Sequence, residues 1–254
     1  MRHLLVGLVL AALPALAQSK IPRTADGHPD FSGVWQGGGV SLYGEVSGNT
    51  RATAAVAKGT PPPTPAAKPE PLVFKDELET KVRAGAATAA IDDPTLKCLL
   101  PGVPRIYGMP MPFEIVQTPK EIVIIFESFH AWRRIPFGGK HDDPDPSFMG
   151  DSIATWDGDT LVVDVAGMNG KTWLDGRGHF TTEQTHIVER YTLNGDTISY
   201  HATVNDPTTM TKPWMQRYNL TRLKEGERPL EYECIENNQD VPHMQSRAPG
   251  GRGR

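Results

Sequence analysis

Apolar and polar residues alternate along most of the chain beyond residue 112, with the two-residue period that is typical of β-strands. An earlier run at residues 30–36, where Phe31 and Trp35 flank Val34, predicts one strand before this region. The later runs that carry the pattern, rich in β-branched and aromatic residues, are 113–117, 121–127, 130–135, 151–156, 160–165, 183–193, 197–204, 216–223 and 230–234. The pattern therefore predicts about nine or ten strands.

One helical segment precedes most of these strands. Between residues 74 and 90, Phe74, Leu78 and Val82 recur at every fourth position among charged residues and helix formers. This spacing predicts one amphipathic helix that packs by that stripe. The proline-rich residues 98–105 are expected to end it.

The order of these elements predicts the fold class. No helical pattern lies between neighbouring strands, which argues against a parallel α/β sheet. We expect a mainly β protein, an antiparallel meander closed or nearly closed into a lipocalin-like barrel, with one N-terminal helix. The barrel-like domain is assigned to residues 72–243, after an N-terminal strand and Pro/Gly-rich arm over residues 18–71 and before a disordered tail over residues 244–254.

The first 17 residues have the features of a cleavable signal peptide. Arg2 and His3 are followed by an apolar stretch over residues 4–13 and by an Ala-x-Ala cleavage site that ends at Ala17. The apolar stretch is shorter than the roughly 20 residues that a membrane-spanning helix needs. The sequence thus predicts a periplasmic or secreted protein with no membrane span.

Two cysteines, Cys98 and Cys234, remain after the predicted cleavage. Disulfides form and persist in the compartments to which exported proteins go. We therefore expect these residues to form a disulfide bond, and two free buried thiols are the alternative.

The formal net charge is −4 and the isoelectric point is about 6.1. Such a chain has no electrostatic signal for binding to nucleic acid or to an anionic membrane. Phosphate-loop, GxSxG, HExxH and CxxC spacings are absent from the sequence. The cofactor is therefore unknown, and no residue is assigned to a metal site.

The hairpin around Asn194 and Gly195 places several polar candidates on one face. With these two residues as the turn, strand pairing puts His186, Arg190 and His201 on the same side of the sheet. The opposite side is formed mainly by isoleucine and tyrosine residues.

Two orientations of this hairpin are open. The apolar face, on which Glu189 is the single charged residue, can pack the core and leave the polar face in water. Alternatively, the barrel interior is a ligand cavity, and His186, Arg190 and His201 line it as polar anchors.

A second hairpin raises the question of a carboxylate pair. If Asp157 and Gly158 form its turn, Asp151 faces Asp164 across the ladder. Two like charges in that position need a metal ion, an arginine or a shared proton to compensate them. A turn assignment that differs by one residue removes the pairing.

Two loops combine imidazole and carboxylate groups that are suited to acid–base chemistry or to metal binding. One contains His141 with Asp142, Asp143 and Asp145, and the other contains Asp175 and His179. Solvated polar loops are the alternative interpretation. Aromatic residues such as Trp173 can line a pocket for an apolar ligand as well as fill a core.

Several short motifs occur together in the second half of the chain. They are Trp156-x-Gly158-Asp159-Thr160-Leu161-Val162-Val163-Asp164, Thr172-Trp173-Leu174-Asp175, His186-x-x-Glu189-Arg190 and Lys212-Pro213-Trp214. As a set, over residues 72–243, they resemble a large group of exported bacterial β-rich proteins. The resemblance implies an exported β protein and brings neither a reaction nor a cofactor. Histidine often stands at the position of Asp151 in that group, so the resemblance implies no fixed role there.

The leading functional hypothesis is an exported barrel that binds a small, partly apolar molecule in its interior. Ligand contacts are expected from Arg190, His201, Asp151 and Trp173. A structural envelope protein without a ligand is a further hypothesis.

The alternative is a secreted lyase, isomerase or hydrolase, with or without the help of a metal. It would use His186 or His179 as the base and Asp175 or Asp164 to orient that base. Arg190 would hold an anionic group of the substrate.

Overall fold

The computed structural model of the protein describes residues 21–38 and 71–236. The predicted signal peptide, most of the Pro/Gly-rich arm and the predicted C-terminal tail lie outside these residues. Of the predicted barrel-like domain, residues 72–236 are described and residues 237–243 lie outside the described part.

Nine strands form a single sheet within the described residues. They are β1 (Gly33–Gln36), β2 (Pro112–Gln117), β3 (Glu121–Phe126), β4 (Trp132–Pro136), β5 (Asp151–Asp157), β6 (Thr160–Ala166), β7 (His186–Asn194), β8 (Thr197–Asn205) and β9 (Trp214–Arg222). Their order is β4-β3-β2-β1-β9-β8-β7-β6-β5, and every neighbouring pair is antiparallel. The prediction of a mainly β, nearly closed antiparallel barrel is confirmed.

The barrel has a seam where β4 and β5, the two strands at the ends of the sheet order, meet. An odd number of strands cannot alternate in direction all the way round a ring, so β4 and β5 run parallel. A parallel bridge between Phe137 and Ala154 joins them. The guanidinium of Arg133 on β4 also donates from Nε to Ser152 Oγ on β5, at 3.0 Å. Side-chain contacts therefore supplement a short backbone connection at the seam.

The hairpin between β7 and β8 turns one residue later than predicted. Asn194 pairs with Thr197, so the turn residues are Gly195 and Asp196. Gly195 has a φ of +60°, a conformation that glycine adopts without strain at the first position of a hairpin turn. Each residue of β7 therefore pairs with a residue two positions further along β8 than predicted. Each side chain stays on its predicted face of the hairpin, because a shift of two residues preserves the alternation.

The hairpin between β5 and β6 differs from its prediction in the same way. Its turn residues are Gly158 and Asp159, and Asp151 pairs with Ala166. The predicted direct pairing of Asp151 with Asp164 is therefore wrong. The two carboxylates are diagonal neighbours on one face of the sheet.

The strand predicted at residues 230–234 is also wrong. The Leu230 side chain is 63% exposed, so this run offers no buried face to a sheet. The run contacts side chains of other segments and does not pair with a neighbouring strand. The Leu230 amide donates a hydrogen bond to the Glu127 carboxylate at 2.8 Å, and the Glu233 carboxylate lies 3.1 Å from His130 Nδ1.

The predicted helix is present as a 3-10 turn over Asp76–Leu78 followed by helix α1 (Glu79–Asp92). Phe74 is buried, and Leu78 and Val82 pack against the core, as the stripe predicted.

Helix α1 is fixed to the barrel at two points. Gly178, at a φ of +82°, lies so close that an added Cβ would come within 2.7 Å of the Val82 carbonyl oxygen. Just beyond the end of α1, Asp93 forms a buried ion pair with Arg105, at 2.6 Å. The helix is therefore packed closely against the connection between β6 and β7.

The barrel interior is filled by the chain itself. Residues 101–109, here called the internal segment, are all buried. The ring centroid of Tyr107 lies 5.4 Å from that of Phe126 on β3 and 4.5 Å from that of Tyr200 on β8. The segment therefore passes between opposite walls of the barrel. Helix α1 already ends at Asp92, before Pro94, so the prolines of residues 98–105 do not end it as predicted and lead into the core instead.

The apolar face of the β7–β8 hairpin points inward. Ile187 and Tyr200 are fully buried, whereas His186, Arg190 and His201 lie on the outer face of the sheet. The hypothesis that these three side chains line the interior is wrong, because the apolar face and the internal segment occupy that space.

Glu189, the charged residue on the apolar face, has a buried partner. Its Oε1 accepts hydrogen bonds from the Arg133 guanidinium at 3.0 Å and from the Tyr200 hydroxyl at 2.7 Å. Burial alone would lower the pKa of Arg133, but the carboxylate of Glu189 holds it well above its usual value. Burial, together with the charge of Glu189, raises the pKa of Tyr200, so this phenol stays a neutral donor.

Cys98 and Cys234 lie at disulfide distance, with their Cα atoms 5.5 Å apart, as predicted. The pair joins the chain just after α1 to the C-terminal end of the described residues. Among the residues that the structure describes, no helix combines the length and the apolar character that a membrane crossing would require.

Candidate functional site

Four side chains form a continuous acid–imidazole cluster outside the barrel, here called the outer cluster. Asp151 begins β5, Asp164 lies near the end of β6, His186 begins β7, and His141 comes from the connection between β4 and β5. His141 places Nδ1 2.6 Å from Asp151 Oδ2 and Nε2 2.8 Å from Asp164 Oδ1. His186 Nε2 lies 3.0 Å from the other oxygen of Asp164.

The position of His141 between two carboxylates favours its charged form. A neutral imidazole has one N–H and would point a lone pair at one of the two acids, whereas the imidazolium donates to both. Burial lowers the pKa of His141, but the hydrogen bonds and charges of Asp151 and Asp164 outweigh that effect and raise it. The imidazolium thus compensates the neighbouring carboxylates and ties the β4–β5 connection to the sheet.

No three His, Cys, Asp or Glu side chains in the described part of the chain are grouped so that they could hold a metal ion. The outer cluster is a chain of pairwise contacts in which His141 occupies the position between the acids. This geometry fits an electrostatic role, in which His141 attaches the β4–β5 connection to the sheet.

Replacing His141 with asparagine is expected to lower the free energy of unfolding by about 1 kcal/mol near pH 5. Because the folded pKa of His141 is raised, its contribution is fully present below the unfolded value of about 6.5 and disappears as the pH rises through the folded pKa. Urea unfolding of both proteins across this pH range measures the difference.

His130→Asn is the matched control, because His130 also contacts one carboxylate but is 47% exposed. This variant should change stability little, because solvent screens so exposed a contact. A loss of stability in His141→Asn that stays constant or grows toward alkaline pH would contradict the attachment of the β4–β5 connection by a charged His141.

Arg190 and His201 lie beside each other on the outer sheet face. Arg190 pairs with Asp157 at 2.6 Å, and both side chains are largely exposed. Burial and then the charges of Arg217 and Arg190 lower the pKa of His201. These residues do not meet His186 at one site, so the predicted set of three polar anchors is not assembled.

Asp175 and His179 do form the predicted pair. His179 Nδ1 lies 2.7 Å from Asp175 Oδ2, and both side chains are about four-fifths buried, at 18% and 20% exposure. The other carboxylate oxygen accepts from the Arg177 amide at 2.8 Å. Burial alone would raise the pKa of Asp175, but the hydrogen bond and charge of His179, with Arg177 and the charge of Arg105, lower it.

Trp173 lies in an open cleft of about 960 Å³ between α1 and residues 169–184, here called the helix cleft. Trp173 is bridged to Phe180, and these two rings supply the aromatic surface. Lys81 on α1 places Nζ 3.8 Å from the Phe180 ring centroid. The remaining lining is mostly threonine, small residues and side chains with hydrogen-bonding groups.

Sequence reasoning did not identify Lys81 and Phe180 as members of a site. The two lie far apart in the chain and meet only because α1 packs on Gly178. Arg133 was also missed, although the isolated Glu189 in an apolar strand could have indicated a buried cationic partner.

Comparisons with protein-family models, with curated proteins and with solved structures found no match for this chain.

Proposed function

We propose that this is an exported protein that binds a small, partly apolar molecule in the helix cleft. The observation that carries the proposal is that Trp173 and Phe180, joined by a backbone β-bridge, both line a cleft of about 960 Å³ whose other side is helix α1. Ligand sites commonly combine an aromatic surface with a few polar groups that orient the ligand.

The helix cleft offers both kinds of contact. Trp173 can stack on a planar apolar group, and Lys171 and Lys81, which lies over the Phe180 ring, can approach an acceptor or anionic group. Small side chains on the facing side of α1, among them Ala84 and Gly85, keep the space open.

Binding in the cleft also agrees with the filled interior. Residues 101–109 occupy the centre of the barrel, so a ligand there would have to displace buried chain. The cleft needs no such displacement. The signal-peptide pattern and the cysteine pair at disulfide distance support export to the periplasm or the medium.

Titration with 1-anilinonaphthalene-8-sulfonate, an aromatic anion whose fluorescence rises in apolar surroundings, tests the site. Trp173→Ala is expected to weaken binding about tenfold, or about 1.4 kcal/mol, because it removes the ring on which the probe can stack. Ala84→Trp should weaken binding as strongly by filling the cleft.

Two control variants make the same substitutions at exposed positions outside the helix cleft. Trp132→Ala removes an exposed tryptophan on β4, and Ala87→Trp adds one to an exposed position of α1. Both should bind the probe like the parent protein. The proposal fails if Trp173→Ala and Ala84→Trp both retain the parent affinity.

A further inference from the structure

We propose that His179 and Asp175 form a general-base pair that hydrolyses small esters in a second pocket, on the other side of α1 from the helix cleft. The pocket has a volume of about 390 Å³ and is lined by Phe74, Val82, Arg177 and His179, among others. Gly178 and α1 lie between it and the helix cleft, and the two sites have no lining residue in common.

The geometry fixes the direction in which His179 can act. Its Nδ1 is bound to Asp175, so Nε2 is the ring nitrogen that remains to accept a proton. Among the described residues, no hydrogen-bond partner is found for Nε2. The ring is also held by Phe74, whose centroid lies 5.4 Å away and which is itself buried.

Asp175 is a positioning residue in this arrangement. One carboxylate oxygen holds the imidazole, and the other accepts the Arg177 amide. The ionised carboxylate therefore fixes the tautomer and stabilises the imidazolium that forms when His179 takes a proton.

The pocket lining matches the parts of a small ester. Leu72, Phe74 and Val82 form an apolar wall for an acyl chain. Arg177 adds a positive charge suited to the oxyanion that develops on the carbonyl oxygen, whereas Arg83 is paired with Glu79.

The reaction needs only water as a co-reactant. His179 Nε2 takes a proton from a water molecule while the water oxygen bonds to the acyl carbon. Collapse of the tetrahedral intermediate breaks the bond between the acyl carbon and the ester oxygen, and the imidazolium returns the proton to that oxygen. A carboxylic acid and an alcohol leave, and no group is oxidised or reduced.

Hydrolysis of 4-nitrophenyl butyrate by the full chain tests the proposal. The parent protein should turn over the ester, and His179→Gln should lower kcat/KM by about 100-fold or more. Asp175→Asn should lower kcat with little change in KM, because the residues that line the pocket stay in place while the imidazolium loses the carboxylate that stabilises it.

His130→Asn is the control for unspecific reaction of surface imidazoles, since His130 contacts Glu233 outside these pockets. It should keep the parent rate. No turnover by the parent, or an unchanged rate in His179→Gln, would overturn the proposal.

A spectroscopic measurement covers the case in which His179→Gln does not fold. Long-range ¹H–¹⁵N spectra of the parent should give His179 as the tautomer with its proton on Nδ1, and a proton on Nε2 in the neutral ring would overturn the proposal. Binding of the anilinonaphthalene probe in the helix cleft should be unchanged in folded His179→Gln, so the two proposals can fail separately.

Discussion

Glu189→Leu is expected to lower the free energy of unfolding by about 3–5 kcal/mol. The substitution removes the carboxylate that compensates Arg133, and Arg133 is 2% exposed and cannot reach water. It also removes the acceptor of the Tyr200 hydroxyl. Urea unfolding followed by circular dichroism measures the loss, which is a large share of the stability of a typical domain.

Replacing both partners separates the cost of an orphaned charge from the loss of contacts. Arg133→Met combined with Glu189→Leu should be more stable than Glu189→Leu alone, because no unpaired charge stays buried. The exposed pair between Arg23 and Asp159 is the control, and Asp159→Asn should change stability little, because solvent screens an ion pair at the surface. Additive losses in the double variant would contradict the pairing of Arg133 with Glu189.

Replacing both Cys98 and Cys234 with serine is expected to lower the free energy of unfolding by about 3–5 kcal/mol. The two residues are 136 positions apart, so the bond would restrict a long loop in the unfolded chain. The change also releases residues 230–236 from their attachment close to the end of α1. Thermal or urea unfolding in the absence of reductant measures the difference.

A thiol titration of the denatured, unreduced protein checks the bond itself. The expected result is no reactive thiol before reduction and two after it. Two reactive thiols before reduction, or unchanged unfolding when a reductant is added to the parent, would contradict a bond that stabilises the fold.

The main features of the fold were predictable because they depend on local patterns. Alternation and the Asp-Gly and Asn-Gly signals identified all eight described strands beyond Gly33–Gln36. Phe31 and Trp35 indicated that first strand. The exact turn residues were not predictable from those dipeptides, since the glycine at the first turn position decides the register.

The orientation of the polar face required information that no single hairpin contains. Outward placement of His186 and His201 depends on residues 101–109 filling the barrel, and that segment looks in sequence like a simple helix stop. Glu189 was a local signal of a buried partner, but its partner Arg133 lies in a different hairpin.

Of the candidate sites, too, one depends on local sequence and the other on long-range packing. Asp175 and His179 are four residues apart in one loop, so their contact could be anticipated from the sequence. The helix cleft could not, because it forms only where α1 meets residues 169–184 after long-range packing.

Ligand binding outside the barrel is tested most directly by following the indole N–H signals of the five tryptophans during titration with the anilinonaphthalene probe. Trp173 lines the helix cleft, Trp35 is fully buried in the barrel core, and Trp132 lies on the outer face of β4. Binding in the cleft predicts a saturable shift of the Trp173 signal while those of Trp35 and Trp132 stay in place. A shift of Trp35 with Trp173 unmoved would place the ligand inside the barrel and contradict the proposal.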